Sequence, residues 1–213
     1  TSSPMYDFKP LWSEFKDDYT VVVVEKSGYG FSDISGDDRD VDTLLAETRE
    51  ALTSAGLSAP YILAPHSMSG LEAVRWAQMH PGEVKAIIGL DPAVPAAYDL
   101  IDLPSGVQLS MMRLISGMGL SRLMPEEDLQ KTLPLLTSDS LSNQEKAQYR
   151  SVFYRRSLTK DMVNEARAIP GNVATINDAP LPENTPMYFF ISESQSEILP
   201  GWDAALTNFL NNL

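Results

Sequence analysis

At 213 residues the chain has room for one domain with an insertion and for a sizeable core, at roughly 150 residues per domain. Its 16 basic and 29 acidic residues leave a formal charge of -13, which argues against nucleic acid and anionic membranes as partners. The lack of cysteine excludes disulfides and thiol catalysis and leaves the redox compartment open.

Residues 7–15 read as a short amphipathic segment, and Tyr19-Thr20-Val21-Val22-Val23-Val24-Glu25 as a fully buried parallel strand, because β-branched side chains suit a pleated surface covered on both faces. A tight glycine loop, Gly28-Tyr29-Gly30-Phe31-Ser32-Asp33, follows. Val41, Leu44, Leu45, Thr48 and Leu52 then recur at helical spacing, with Asp40 as cap and Gly56 as stop. An apolar strand over 61–64 halts at Pro65-His66-Ser67-Met68-Ser69-Gly70, and a helix begins at once, its buried face formed by Leu71, Val74 and Ala77 with Trp76 beside it. His80-Pro81-Gly82 breaks that helix before the strand Val84-Lys85-Ala86-Ile87-Ile88-Gly89-Leu90-Asp91. Over 96–179 the alternation lapses into a methionine-rich apolar stretch at 107–118 and helical stretches around 126–135, 143–153 and 160–168. Arg150, Arg155, Arg156 and Lys160 read there as a solvated face with no substrate role. A strand resumes over 186–192, and a final helix has Trp202, Leu206, Phe209, Leu210 and Leu213 on one side. Strands and helices alternating in this way build an α/β fold around a doubly wound, mostly parallel sheet. No leader-like segment, apolar span of membrane length, repeat or low-complexity tract stands out. The compartment is therefore unknown, with the cytoplasm favoured.

A serine on so sharp a strand-to-helix turn has its hydroxyl thrust out of the sheet, and the amides opening the helix face the oxygen that its attack leaves charged. The segment Pro65-His66-Ser67-Met68-Ser69-Gly70 resembles the nucleophile elbow of the α/β-hydrolase family, Gly-x-Ser-x-Gly and often Gly-His-Ser-Met-Gly-Gly. His66, Ser67, Met68 and Gly70 match. Pro65 and Ser69 replace the two defining glycines, which keep Cβ atoms out of a cramped turn. The bland alternative is a junction where Ser67 merely caps the helix. Gly28-Tyr29-Gly30-Phe31-Ser32 resembles the segment after the family's fourth strand, and the likeness covers 1–95 almost continuously.

The resemblance implies a serine hydrolase with a helical cap: 1–95 as the first part of the core, 96–179 as the cap, and 180–213 as a second, incomplete part. It implies acyl transfer to Ser67 from a small or medium carboxylic ester, lactone or amide, a small-molecule substrate handled without cofactor or metal. The alternative is a catalytically silent fold that binds a small ligand or protein. Met68 and, before it, Thr1 would supply the oxyanion-hole amides. The acid is either Asp91, at the end of its strand, or Glu193 after the next one; Asp91 is preferred, against a purely structural reading of that aspartate. Met111, Met112 and Met118 would line an adaptable acyl pocket or else pack as ordinary core.

A base must take the serine proton, yet His66 should turn away and His80 suits a helix end. The family's histidine follows one more strand, beyond Leu213, and its third strand would lie between those at 21–24 and 61–64. The expectation is a fragment lacking the first strands and the histidine segment. The alternative is that a second copy donates the missing strands in a homo-oligomer.

Overall fold

The computed structural model describes residues 3–213. In chain order, α1 (Pro4–Asp7), α2 (Lys9–Phe15) and α3 (Val41–Ser54) precede β1 (Tyr61–Leu63) and β2 (His66–Ser67), which lead into α4 (Ser69–Met79) and β3 (Val84–Pro92). Then come α5 (Gly106–Gly117), α6 (Glu126–Thr132), α7 (Asn143–Arg156) and α8 (Lys160–Asn177), followed by β4 (Met187–Phe190), α9 (Glu193–Ile198) and α10 (Trp202–Asn211). This is the expected α/β architecture, with a parallel sheet and a helical insertion between β3 and β4. Two compact units form. One holds the described residues up to Asp38 together with Pro104–Arg167, and the other holds Arg39–Leu103 with Ala168–Leu213.

The second unit contains the sheet. β3 lies in its middle, paired in parallel with β1 and β2 along one edge and with β4 along the other. β1 and β2 are one strand interrupted at Pro65, whose ring removes an N–H from the ladder; its carbonyl still accepts the Leu90 N–H at 2.8 Å. Alternation along β4 turns Met187 and Phe189 towards the core and leaves Tyr188 and Phe190 each 66% exposed on the other face. The core joins Leu71 and Val74 of α4, Ala93, Val94 and Ala97, Ile176 of α8, and Trp202, Leu206 and Phe209 of α10. Removing each of the larger of these side chains from water contributes roughly 1.5–3 kcal/mol. The Phe189 and Phe209 rings stack with centroids 6.2 Å apart. The stripe expected for α3 is buried in full, and Asp40 caps it by accepting the N–H groups of Asp42 and Thr43.

Beside the sheet, Arg49 of α3 donates Nε and Nη2 to Glu83 at 2.8 and 2.6 Å, and Trp76 Nε1 donates to the same carboxylate at 2.9 Å. The Arg49 guanidinium holds the Glu83 carboxyl down at about 2, against 4.5 for a free glutamate. A depressed carboxylate contributes stability that is complete above the unfolded value and lost as pH falls through the folded one. Both side chains remain about one-third exposed, so solvent reduces the contribution to about 1 kcal/mol or less. Glu83→Gln is therefore expected to cost about that much in urea at pH 7. The gap to the parent should close between pH 4.5 and about 2; a gap that does not narrow over this window would show that the ion pair is not its source.

In the first unit the core joins Tyr6 of α1, Leu129 of α6, Leu133, Leu136, Leu141, and Tyr149 of α7. Asp7 accepts a hydrogen bond from the Tyr149 hydroxyl, and Lys9 pairs with Glu145. The glycine loop is tied to α8: fully buried Asp161 accepts the Ser35 and Gly36 N–H groups at 2.9 Å each, while Glu165 accepts the Tyr29 hydroxyl at 2.9 Å and pairs with Lys26. The expected strand at 21–24 does not form. Val21 and Val22 are 39% and 46% exposed, because β-branched residues favour a strand only where a neighbouring ladder takes up the backbone groups. No described segment supplies that ladder.

Candidate active site

The turn between β2 and α4 holds Ser67 at φ 53°, in the left-handed region. For a residue with a Cβ this conformation costs roughly 1–2 kcal/mol, and neighbouring contacts over-determine it. The Ser67 carbonyl accepts the Ala93 N–H at 2.7 Å, which fixes the strand end, while the residue itself stays exposed. Its hydroxyl makes no hydrogen bond with the described residues, so the reading of Ser67 as a helix cap fails: α4 is preceded by Met68 and has no side-chain cap.

Ser69 shows how the turn does without a glycine at that position. Its Oγ accepts the His66 N–H at 2.9 Å and donates to the His66 carbonyl at 2.8 Å, closing the bend with its own side chain. Gly70 carries the steric requirement instead. A Cβ there would lie 2.4 Å from the Ala93 carbonyl oxygen and 2.8 Å from the Ala93 nitrogen, both backbone atoms. Met68 immediately precedes α4, so its N–H lies outside the helix's own hydrogen bonds. Thr1, the other expected amide, lies outside the described residues.

Asp91 sits on the adjoining strand. Ser67 is in register with Pro92, one residue beyond it, so both side chains stem from the carboxyl edges of neighbouring parallel strands, where strands run about 4.8 Å apart. Asp91 has φ 46°, and its Oδ1 accepts the Ser192 N–H at 2.9 Å and the Trp202 Nε1–H at 3.3 Å. Ser192 follows β4, so the carboxylate that ends β3 is anchored to the loop where the alternative acid was sought. Glu193 opens α9, exposed and without a side-chain hydrogen bond among the described residues. Trp202 was read only as a core residue. The one available signal was that a buried indole needs an acceptor for its N–H.

The two histidines are placed differently. His80 ends α4, an 11-residue helix of about 16 Å, on the side away from Ser67. His66 precedes Ser67 on β2, and desolvation lowers the pKa of its imidazole against the opposing pull of the Asp91 carboxylate. Met111, Met112 and Met118 belong to the unit without the sheet and are 61%, 44% and 60% exposed on and just after α5. They are therefore not core. The core reading failed because α5 buries only Leu109. Among the described residues no cluster of three or more His, Asp or Glu side chains could hold a metal ion, and no helix is long and apolar enough to cross a membrane.

A family model described as alpha/beta hydrolase fold matches residues 6–198. The chain is 36% identical to the uncharacterized protein YbdG of Bacillus subtilis (strain 168) over 189 residues, which are 87% of this chain and 57% of that protein. It thus spans little more than half the length of that relative. Among solved structures it resembles the epoxide hydrolase VrEH1 from Vigna radiata, with a TM-score of 0.62 and 18% identity over 88% of this chain and 69% of that one. It also resembles MGS-M2, an alpha/beta hydrolase enzyme from a Medee basin deep-sea metagenome library, with a TM-score of 0.60 and 13% identity over 97% and 74%. At these identities the two structures bear on the fold alone.

Proposed function

The chain belongs to the α/β-hydrolase fold family, and on that premise we propose that it is a serine hydrolase acting on small or medium carboxylic esters, lactones or amides. The observation that carries the reading is Ser67, an exposed serine in a left-handed turn between β2 and α4 whose hydroxyl bonds to none of the described residues. A hydroxyl so presented attacks a carbonyl carbon while a histidine takes its proton, and the resulting oxyanion rests on the Met68 amide and a second amide at or before Thr1. The tetrahedral intermediate expels the alcohol or amine, protonated by the same histidine. Water, deprotonated in turn, cleaves the acyl-enzyme to the acid and restores Ser67.

His80 lies a helix length away, and His66 directly precedes Ser67, where the family resemblance turns its side chain away from the hydroxyl, so neither suits the base. The proposal therefore takes the base from a histidine outside these 213 residues, and so treats them as part of a longer protein. The short span relative to YbdG supports this. Labelling with a fluorophosphonate tests both parts. The protein as its source cell makes it should be labelled at Ser67 and the 213-residue chain should not; a label on neither favours the second reading, a silent fold that binds a ligand, and a label on both puts the base within this chain.

Asp91 is proposed as the carboxylate that orients the base. Asparagine tolerates the left-handed conformation as aspartate does, so Asp91→Asn changes the charge with little backbone consequence. It is expected to lower kcat by roughly 10³- to 10⁴-fold with KM little changed, while Glu193→Gln leaves kcat within about twofold. The reverse pattern in steady-state kinetics moves the acid to the loop after β4.

A further inference from the structure

One face of the helix α7 sets four polar side chains beside a buried valine. Gln148, Ser151, Val152, Arg155 and Arg156 stand at i, i+3, i+4, i+7 and i+8, the spacing that lines up one helical face. With the Gly30–Phe31 turn, these residues line a half-open cavity of about 170 Å³, wholly within the unit that lacks the sheet.

The other cations of the solvated face expected from the sequence are already engaged. Arg150 donates two hydrogen bonds to Glu126, at 2.8 and 2.6 Å, and Lys160 donates to the Gly36 carbonyl at 3.2 Å. Arg155 and Arg156 make no ion pair or hydrogen bond with the described residues. Glu25, the carboxylate packed against Gly30, is turned to the Phe31 N–H at 2.8 Å and the Ser3 hydroxyl at 3.4 Å, and does not line the cavity. The Tyr6 hydroxyl donates to Gln148 Oε1 at 2.6 Å, which leaves the amide NH₂ to donate. Phe31, 55% exposed, meets the Tyr6 ring edge to face at 6.2 Å and covers the rim.

The polar members of the lining, two guanidinium groups, a serine hydroxyl and an oriented amide, can all donate to the acceptor oxygens of an oxyanion, while Gly30, Phe31 and Val152 supply an apolar remainder. Both arginines stand in the last turn of α7, where cations complement the helix C-terminus; the lining they share holds no acid to neutralise them. At about 170 Å³ the cavity is smaller than the roughly 300–1,000 Å³ of a site that encloses a whole small molecule. It is sized for one end of a ligand. We propose that this cavity binds the carboxylate or phosphate of a small organic anion, with the Phe31 ring against the ligand's apolar body.

Titration of the ¹⁵N-labelled protein with benzoate, phenyl phosphate and neutral benzyl alcohol tests the site. The expected result is saturable amide shifts at Gly30, Phe31 and Ser151 with at least one anion and none with the alcohol; the tighter anion identifies the oxyanion. Arg155→Gln with Arg156→Gln should weaken binding about tenfold or more, the effect of losing charged hydrogen bonds. Ser151→Glu, checked for folding by circular dichroism, places a like charge in the lining and should remove binding even if the double variant does not fold. Equal shifts with the alcohol, no saturable shift with either anion, or undiminished affinity in Ser151→Glu overturns the proposal.

Discussion

Ser67→Ala is expected to abolish labelling by a fluorophosphonate and to lower kcat on an activated ester by roughly 10⁴- to 10⁶-fold, the scale on which losing a hydrolase nucleophile acts. The substitution removes one oxygen and little else. Alanine and serine both carry a Cβ, so the cost of φ 53° is the same in both, and no hydrogen bond to a described residue is lost with the hydroxyl. Thermal stability should accordingly stay within about 0.5 kcal/mol of the parent, as for surface changes away from special contacts. A folded variant that keeps more than a tenth of the parent's kcat removes the nucleophile from the proposed mechanism, and one that unfolds overturns the expected stability. The same measurement on Asp91→Asn then has a reference, because residues acting as one unit give losses that do not add.

The second large effect concerns stability. Gly70→Ala is expected to destabilise the protein by about 2–4 kcal/mol, the range for forcing an atom into a space that cannot yield. The new Cβ would meet the backbone oxygen and nitrogen of Ala93 at 2.4 and 2.8 Å. Neither atom can rotate away, and Ala93 is held by its N–H bond to the Ser67 carbonyl. Relief would have to come from separating α4 from the end of β3, which disturbs the serine turn as well. Intrinsic propensity predicts the opposite sign, since alanine is better than glycine in a helix by about 1 kcal/mol. Gly171 in α8, with nothing within 4 Å of its ideal Cβ, makes the comparison clean. Gly171→Ala should raise the urea midpoint while Gly70→Ala lowers it, and a Gly70→Ala protein as stable as the parent would mean that the helix and β3 do not meet this closely.

The helices of the sheet-bearing unit were legible because each had an apolar stripe and a terminus marked by local chemistry. Val41, Leu44, Leu45, Thr48 and Leu52 between Asp40 and Gly56 read correctly, as did Leu71, Val74 and Ala77 with Trp76. On α10 the buried set is Trp202, Leu206 and Phe209, while Leu210 and Leu213 are only partly covered. The run at 21–24 misled because a strand is a property of two segments, and a β-branched sequence names only one of them. The core reading of the methionines on and after α5 misled for a related reason: apolar composition marks a side chain that can be buried, and the surface to bury it must come from elsewhere in the chain.

The elbow was visible in one dimension and explained in three. Residue identity alone established a parallel α/β fold, a serine at a strand-to-helix turn and a carboxylate at the next strand end, because hydrophobic period and turn chemistry act over a few residues. Tertiary structure decided that Ser69 closes the turn by bonding to His66, that Gly70 must be bare because Ala93 lies against it, and that Asp91 is moored to Ser192 and Trp202 about a hundred residues away. It also brought Arg155 and Arg156 to the Gly30–Phe31 turn. Contacts of this kind join groups distant along the chain, and their geometry follows from how whole elements pack rather than from any local pattern.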